Sequence, residues 1–144
     1  MSLTKNDRLK NLYTKYQLNK EDIFSIPFGA KKVPIITRTG IDKIQATENI
    51  QIKYETIEYT PGISAAVKAI STWNNKYLES YGEASKANTK MPYPLAMAEK
   101  RAMSRIVLKL TGFYELGVYG EDESDDFKKN KSNNNQGEKP WKNV

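Results

Sequence analysis

Along residues 93–112, YPLAMAEKRAMSRIVLKLTG, apolar positions recur every three or four residues, the spacing of an amphipathic helix. Pro94 suits a first helical turn and Gly112 a helix stop, and the residues between them are mostly strong helix formers. Leu95, Ala96, Ala102, Met103, Ile106, Val107 and Leu110 share one broad face. Arg101, Arg105 and Lys109 follow one another at i, i+4 and i+8 as a ridge beside that face, and Lys100 lies well round from it. The pattern predicts a helix that packs with one side and offers cations with the other. Glu99 projects into the middle of the apolar face, where it either reaches a rim or pairs with a cation inside.

Upstream, Leu9, Leu12, Tyr13 and Tyr16 mark residues 5–17 as an amphipathic helix, packed on the domain or on a neighbouring copy. Asn19 caps a short turn through Phe24, and Pro27, Gly29, Lys31 and Lys32 read as a loop. Residues 33–37 form a short apolar strand whose Pro34 favours an edge. Arg38, Thr39 and Gly40 turn the chain into a short helix over residues 41–46, with Ile41 and Ile44 inward. The period then becomes two: Ile50, Ile52 and Tyr54 alternate with Gln51, Lys53 and Glu55. Ile57 and Tyr59 continue with opposite parity, which predicts a bulge or a strand buried on both sides. After a turn at Thr60-Pro61-Gly62, a second strand alternates through Trp73, and Asn74-Asn75 fits a two-residue hairpin turn. Tyr77, Glu79 and Tyr81 share one face of a third strand, with Leu78 and Ser80 on the other.

A polar segment, residues 82–91, carries Lys86 and Lys90 and reads as a flexible link to the long helix. Beyond Gly112, Phe113, Leu116, Val118 and Tyr119 can return to the core. Residues 128–144 have almost no apolar content and read as a disordered basic tail. The expected fold is therefore α+β: an antiparallel β-meander of three to four strands packed on one long C-terminal helix, with an N-terminal helix. It forms a single domain over residues 1–127, of which residues 1–30 are a helical extension.

A chain of 144 residues supports one modest core. It has no cysteine and no histidine, which removes disulfides, thiol nucleophiles, the usual zinc ligands and Ser-His machinery. We expect no cofactor, no catalytic residues and no enzymatic activity. No apolar run reaches membrane-spanning length and the N-terminus lacks a secretory apolar core, so the expectation is a soluble cytoplasmic protein with no membrane partner. The formal charge of +6 divides into −5 on residues 121–126, +4 on residues 128–144 and +7 on residues 1–120. A basic body with nine tyrosines is the composition of a protein that neutralises phosphates and stacks bases.

From Tyr77 to Phe113 the pattern resembles the Rad52 superfamily of single-strand annealing proteins, most closely its small phage-type members. The points of likeness are a strand ending Tyr81-Gly82-Glu83, a polar lysine-bearing loop and the helix AEKRAMSRIVLKL ending at Gly112. The pieces IITRTGIDKIQ and EKRAMSRIVLKLTGFYELGVYGEDE extend it to residues 33–127. The resemblance implies copies joined side by side as a homo-oligomer, in rings, arcs or helical filaments inside a bacterial host cell. It further implies a basic groove that holds single-stranded DNA by its backbone with the bases outward, and no nucleotide hydrolysis. A nuclease or a host replication protein is the kind of partner such a protein meets. The family's basic residues on the long helix fall nearest Lys100, Arg101 and Lys109, whereas Arg105 stands where eukaryotic members tend to carry an acid. The helix is also about one turn shorter than theirs.

The full set of candidate DNA-binding residues is Lys31, Lys32, Arg38, Lys86, Lys90, Lys100, Arg101, Arg105 and Lys109. A solvated face is the competing reading for each. Lys53, Lys68 and Lys76 read as solvent-facing strand positions; Tyr54, Tyr59, Tyr77 and Tyr81 read as core or sheet-surface residues, and Trp73 as core. Trp141, between Lys139-Pro140 and Lys142, reads as tail rather than as a docking motif. Two other classes stand beside annealing. One is an oligomeric adaptor that binds protein. The other is a magnesium-dependent nuclease using Glu121, Asp122, Glu123, Asp125 and Asp126, although a consecutive acidic run needs a scaffold to converge on a hard cation. An electrostatic skirt that competes with DNA or repels wrong neighbours is the simpler reading of that run.

Overall fold

Thr4 opens the first helix: its hydroxyl accepts the Asp7 N–H at 3.1 Å, and α1 runs over Lys5–Lys15. The computed structural model describes residues 4–85 and 92–123. After α1 come β1 (Ile23–Phe28), β2 (Lys31–Ile36), α2 (Arg38–Glu48), β3 (Lys53–Thr60), β4 (Ser64–Trp73), β5 (Lys76–Ser85), α3 (Pro94–Leu110) and β6 (Tyr119–Gly120). Short 3-10 turns at Tyr114–Leu116 and Glu121–Glu123 flank β6. The architecture is α+β, as the hydrophobic pattern predicts, with α3 central rather than peripheral.

Two three-stranded sheets, ordered β1-β2-β6 and β3-β4-β5, lie on either side of α3. The second is the expected antiparallel meander. Its β3–β4 register shifts between Thr56 and Glu58, which is the bulge implied by the change of parity at Ile57. Asn74 and Asn75 adopt φ of 50° and 64°, the left-handed pair that a two-residue hairpin requires. β5 continues to Ser85, so the strand takes in the first part of the segment expected to be a flexible link. The remaining link residues, with Lys86 and Lys90, and the tail lie outside the described residues.

The first sheet corrects the sequence reading. Residues 21–32 were expected to be turn and loop, yet β1 pairs antiparallel with β2 from Ile23↔Ile36 to Phe28↔Lys31. Pro27 is tolerated because β1 is an edge strand, where a missing N–H breaks no ladder. α2 also starts earlier than expected, at Arg38, because Thr37 Oγ1 accepts the Gly40 N–H at 3.1 Å and caps the helix. Gly40 is buried by close approach rather than by turning; a Cβ there would stand 2.6 Å from Ile36 Cγ2. Asn49, left-handed at φ 51°, closes α2.

The core lies around α3. Ala98, Ala102, Val107 and Leu110 are buried together with Val67 and Ala69 of β4, Ile41 and Ile44 of α2, and Phe113 and Val118 beyond the helix. Of the four residues expected to return to the core, Phe113, Leu116 and Val118 are buried and Tyr119 is half-buried. Tyr13 and Tyr16 close the side nearest α1, with ring centroids 6.0 and 5.9 Å from that of Phe113. No helix among the described residues is long and apolar enough to cross a membrane.

Candidate nucleic-acid interface

The long helix meets β5 at Gly82, where the two backbones nearly touch. A Cβ at Gly82 would lie 2.1 Å from Ala98 O and 2.5 Å from Ala102 N, so only glycine admits this approach. Held that close, α3 projects two of its arginines over the outer edge of β5. Arg101 is 4% exposed; its Nη1 donates to Glu83 O at 2.7 Å and its Nε to Asp122 O at 3.3 Å. Arg105 Nη1 donates to Tyr81 O at 2.8 Å, while its Nε pairs with the Glu123 carboxylate. Ser104 Oγ donates to Asp122 Oδ2 at 2.9 Å.

The expected exposed ridge therefore does not exist as a continuous line. Arg101 is buried and Arg105 is half-buried, both held by contacts within one copy, because α3 is covered on two sides rather than one. Lys109 is exposed at the far end, with its ammonium 5.3 Å above the Tyr114 ring. Lys100 is exposed near the start of the helix. Beside it Glu99 is exposed as well, which settles its position in favour of the rim.

The candidate DNA-binding cations outside α3 that lie among the described residues occupy two places. Lys31 and Lys32 are exposed at the tip of the β1–β2 hairpin, next to Phe28, which is 40% exposed. Arg38 begins α2, and its backbone N–H donates to Glu121 Oε1 at 3.0 Å. Its Nε reaches Asp42 Oδ1 at 3.3 Å, but its Nη1 is buried without an acceptor among the described residues. A charged donor left in that state is incompletely satisfied by the described residues. Tyr54 of β3 links Arg38 to α3. Burial raises its hydroxyl pKa and the Glu99 carboxylate adds to the rise, while Arg38 opposes it. The Tyr54 hydroxyl thus senses the charge of both Glu99 and Arg38. Lys68 is spent between Glu55 at 3.4 Å and Glu79 at 3.8 Å, whereas Lys53 and Lys76 face solvent.

The feature that sequence reasoning missed is the bareness of β3. All eight of its residues are exposed, Ile57 and Tyr59 at 54% and 46%. Neighbouring β4 buries every second residue from Ala65 to Ser71, because α3 packs chiefly on β4 and β5. The signal available in the sequence was Ile57, an apolar residue placed off the alternation. Tyr77 and Tyr81 are exposed on the sheet's outer surface, in line with the sheet-surface reading. Trp73 is half-buried and donates its Nε1–H to Glu48 O at 3.1 Å. The described part of the acidic run points three ways, with Glu121 to Arg38, Asp122 to Ser104 and Glu123 to Arg105. No family model, no curated protein and no solved structure matches this chain.

Proposed function

We propose that this chain binds single-stranded DNA and anneals it to a complement, acting as a homo-oligomer whose copies meet at β3. One observation carries the reading. Lys31, Lys32 and Lys100 stand exposed with no carboxylate partner among the described residues, on a body that holds +7 over residues 1–120. Unpaired cations of this kind bind phosphates regardless of sequence and leave base edges open for pairing, which is what an annealer needs. The resemblance of residues 33–127 to the Rad52 superfamily points the same way. Few cations per copy make weak sites, and repetition along an assembly multiplies them through effective concentration. The bare strand β3 supports such repetition, since a further copy would cover apolar surface that this one leaves in water.

The test is salt-titrated binding of a fluorescent oligonucleotide, followed by addition of its complement. Lys31→Ala combined with Lys32→Ala should weaken binding about tenfold across unrelated sequences. It should also flatten the salt slope by about 1.4, roughly 0.7 for each phosphate that is no longer neutralised. An unchanged slope removes the hairpin from the site. A second reading, a protein-binding adaptor, is favoured by β3 and by the use of Arg101 and Arg105 inside the fold. It predicts oligomers with no affinity for oligonucleotides even at low salt.

A further inference from the structure

At the end of the molecule remote from the start of α3, three lysines that are far apart in sequence line one pocket of about 240 Å³. Lys15 comes from the last turn of α1, Lys76 from the first position of β5 and Lys109 from the last turn of α3. Tyr16 and Trp73 also line it, together with a single acid, Glu115.

Charge and order distinguish this pocket from an ordinary surface dip. Lys76 has no ion-pair partner among the described residues, and Lys109 meets only the Tyr114 ring. Glu115 is engaged by Arg8 at 3.0 Å. Lys15 Nζ is 3.1 Å from Glu48 Oε2, and the Tyr16 hydroxyl donates to that same oxygen at 2.5 Å. The Glu48 carbonyl in turn fixes the Trp73 indole nitrogen. One residue of α2 therefore positions a cation and a flat aromatic ring beside each other before any ligand arrives. The C-terminal end of α3 adds partial negative charge, so an anion could be held here only by several lysines together.

We propose that this pocket binds a single nucleotide unit, with its phosphate on Lys76 and Lys109, assisted by Lys15, and its base against Trp73. The volume is below the roughly 300 Å³ at which sites begin to enclose whole small molecules. The unit is thus only partly inserted, with its sugar edge in water. That geometry is open to a free nucleotide and to one unit of a longer strand. The assignment stands apart from the annealing reading, because a free nucleotide satisfies it; where the unit belongs to a strand, it extends that reading to a second contact away from the hairpin.

The test uses the full chain carrying Trp141→Phe, which leaves Trp73 as the sole tryptophan. Its emission is followed at low salt during titration with a nucleoside 5′-monophosphate and, separately, with a short single-stranded oligonucleotide. Quenching by the mononucleotide assigns a free ligand; quenching by the oligonucleotide alone assigns a strand. Inorganic phosphate should compete in either case. Lys76→Ala with Lys109→Ala should raise the half-saturating concentration at least about tenfold, the loss expected from removing charge-assisted hydrogen bonds. Both lysines are exposed, so the circular dichroism should not change. Emission indifferent to both ligands overturns the proposal, and so does equal affinity in the double variant. Neither outcome touches the hairpin lysines, which are tested by Lys31→Ala and Lys32→Ala.

Discussion

The three-stranded meander has two edges, and they are finished in opposite ways. Along β5 the outward carbonyls of Tyr81 and Glu83 are taken by Arg105 and Arg101, and the turn at Glu121–Glu123 closes over those guanidinium groups. Along β3 no residue is buried, and Ile57 and Tyr59 are left in water. An unpaired strand edge is a template for another chain, and proteins usually blunt it with charge, a bulge or a cover. β5 has the cover; β3 has only its bulge and the charges of Lys53, Glu55 and Glu58. The contrast teaches that the arginines of α3 act first as edge caps, and that the uncovered edge of the sheet is the opposite one.

The largest effect is expected where the covered edge depends on helix approach. Gly82→Ala would place a methyl group 2.1 Å from a helix carbonyl, and backbone cannot yield as a flexible side chain does. We expect a loss of at least about 3 kcal/mol, seen as a fall in Tm of more than about 12 °C. A variant that melts within a few degrees of the parent would mean that α3 does not seat on β5 as described. Next comes Arg101→Leu, which leaves Glu83 O and Asp122 O without this guanidinium and should cost about 2–3 kcal/mol in urea unfolding. Were Arg101 a phosphate contact instead, stability would hold and the salt slope of DNA binding would fall. The two measurements together decide which role it plays.

The bare edge should respond in the opposite sense. Ile57→Lys with Tyr59→Ser changes two exposed residues, so the stability of one copy should stay within about 0.5 kcal/mol. Self-association should weaken about tenfold or more if apolar area at β3 is what neighbours bury, as read by sedimentation over a concentration series. Unaltered sedimentation with unaltered melting would leave β3 merely exposed and would remove the asymmetry between the edges.

This asymmetry marks the limit of what the sequence discloses. Period-two alternation in β4 is legible because one face of it is buried, and the parity change at Ile57 announced the bulge. The β1–β2 hairpin was hidden by Pro27 and Gly29, which read as loop signals when the strand partner is unknown. Arg101 and Arg105 were misplaced for a different reason. Helical periodicity says which residues share a face, but a second layer of structure over the polar face cannot be seen from one helix alone. The partners of Arg101, Glu83 O and Asp122 O, are backbone atoms from segments eighteen residues before and twenty-one after it, and those of Arg105 are Tyr81 O and the Glu123 carboxylate. Glu99 falls within the apolar stripe, and of the alternatives open to it there the structure has the rim: it is exposed on a helix whose first turns are the least covered. Lys31, Lys32 and Lys100 are legible as exposed cations because none of the described residues folds over them.

The smallest effect separates both edges from the rest of the molecule, through acid. Asp22 is 2% exposed. Burial by itself would raise its pKa, but the Lys43 ammonium at 2.7 Å and the Asn19 N–H at 3.1 Å outweigh that and hold it below the ordinary value. Glu48 is lowered by the Tyr16 hydroxyl first and by Lys15 as well, against a smaller opposing effect of burial. For a carboxyl group depressed on folding, the stability it adds is fully present above the unfolded pKa, near 4. That stability is lost as pH falls through the folded value. Urea midpoints should therefore hold from about pH 6 down to about pH 4 and decline below that. Asp22→Asn should remove part of the decline, worth about 1 kcal/mol. Both carboxylates lie on the α1–α2 side, so the cost of Arg101→Leu should be the same at pH 6 and at about pH 3, below the onset of the decline, to within about 0.5 kcal/mol, as expected of separated sites. A cost that grew with acid would tie the β5 edge to the titrating groups around α2, and the two edges could then no longer be compared as independent parts of one sheet.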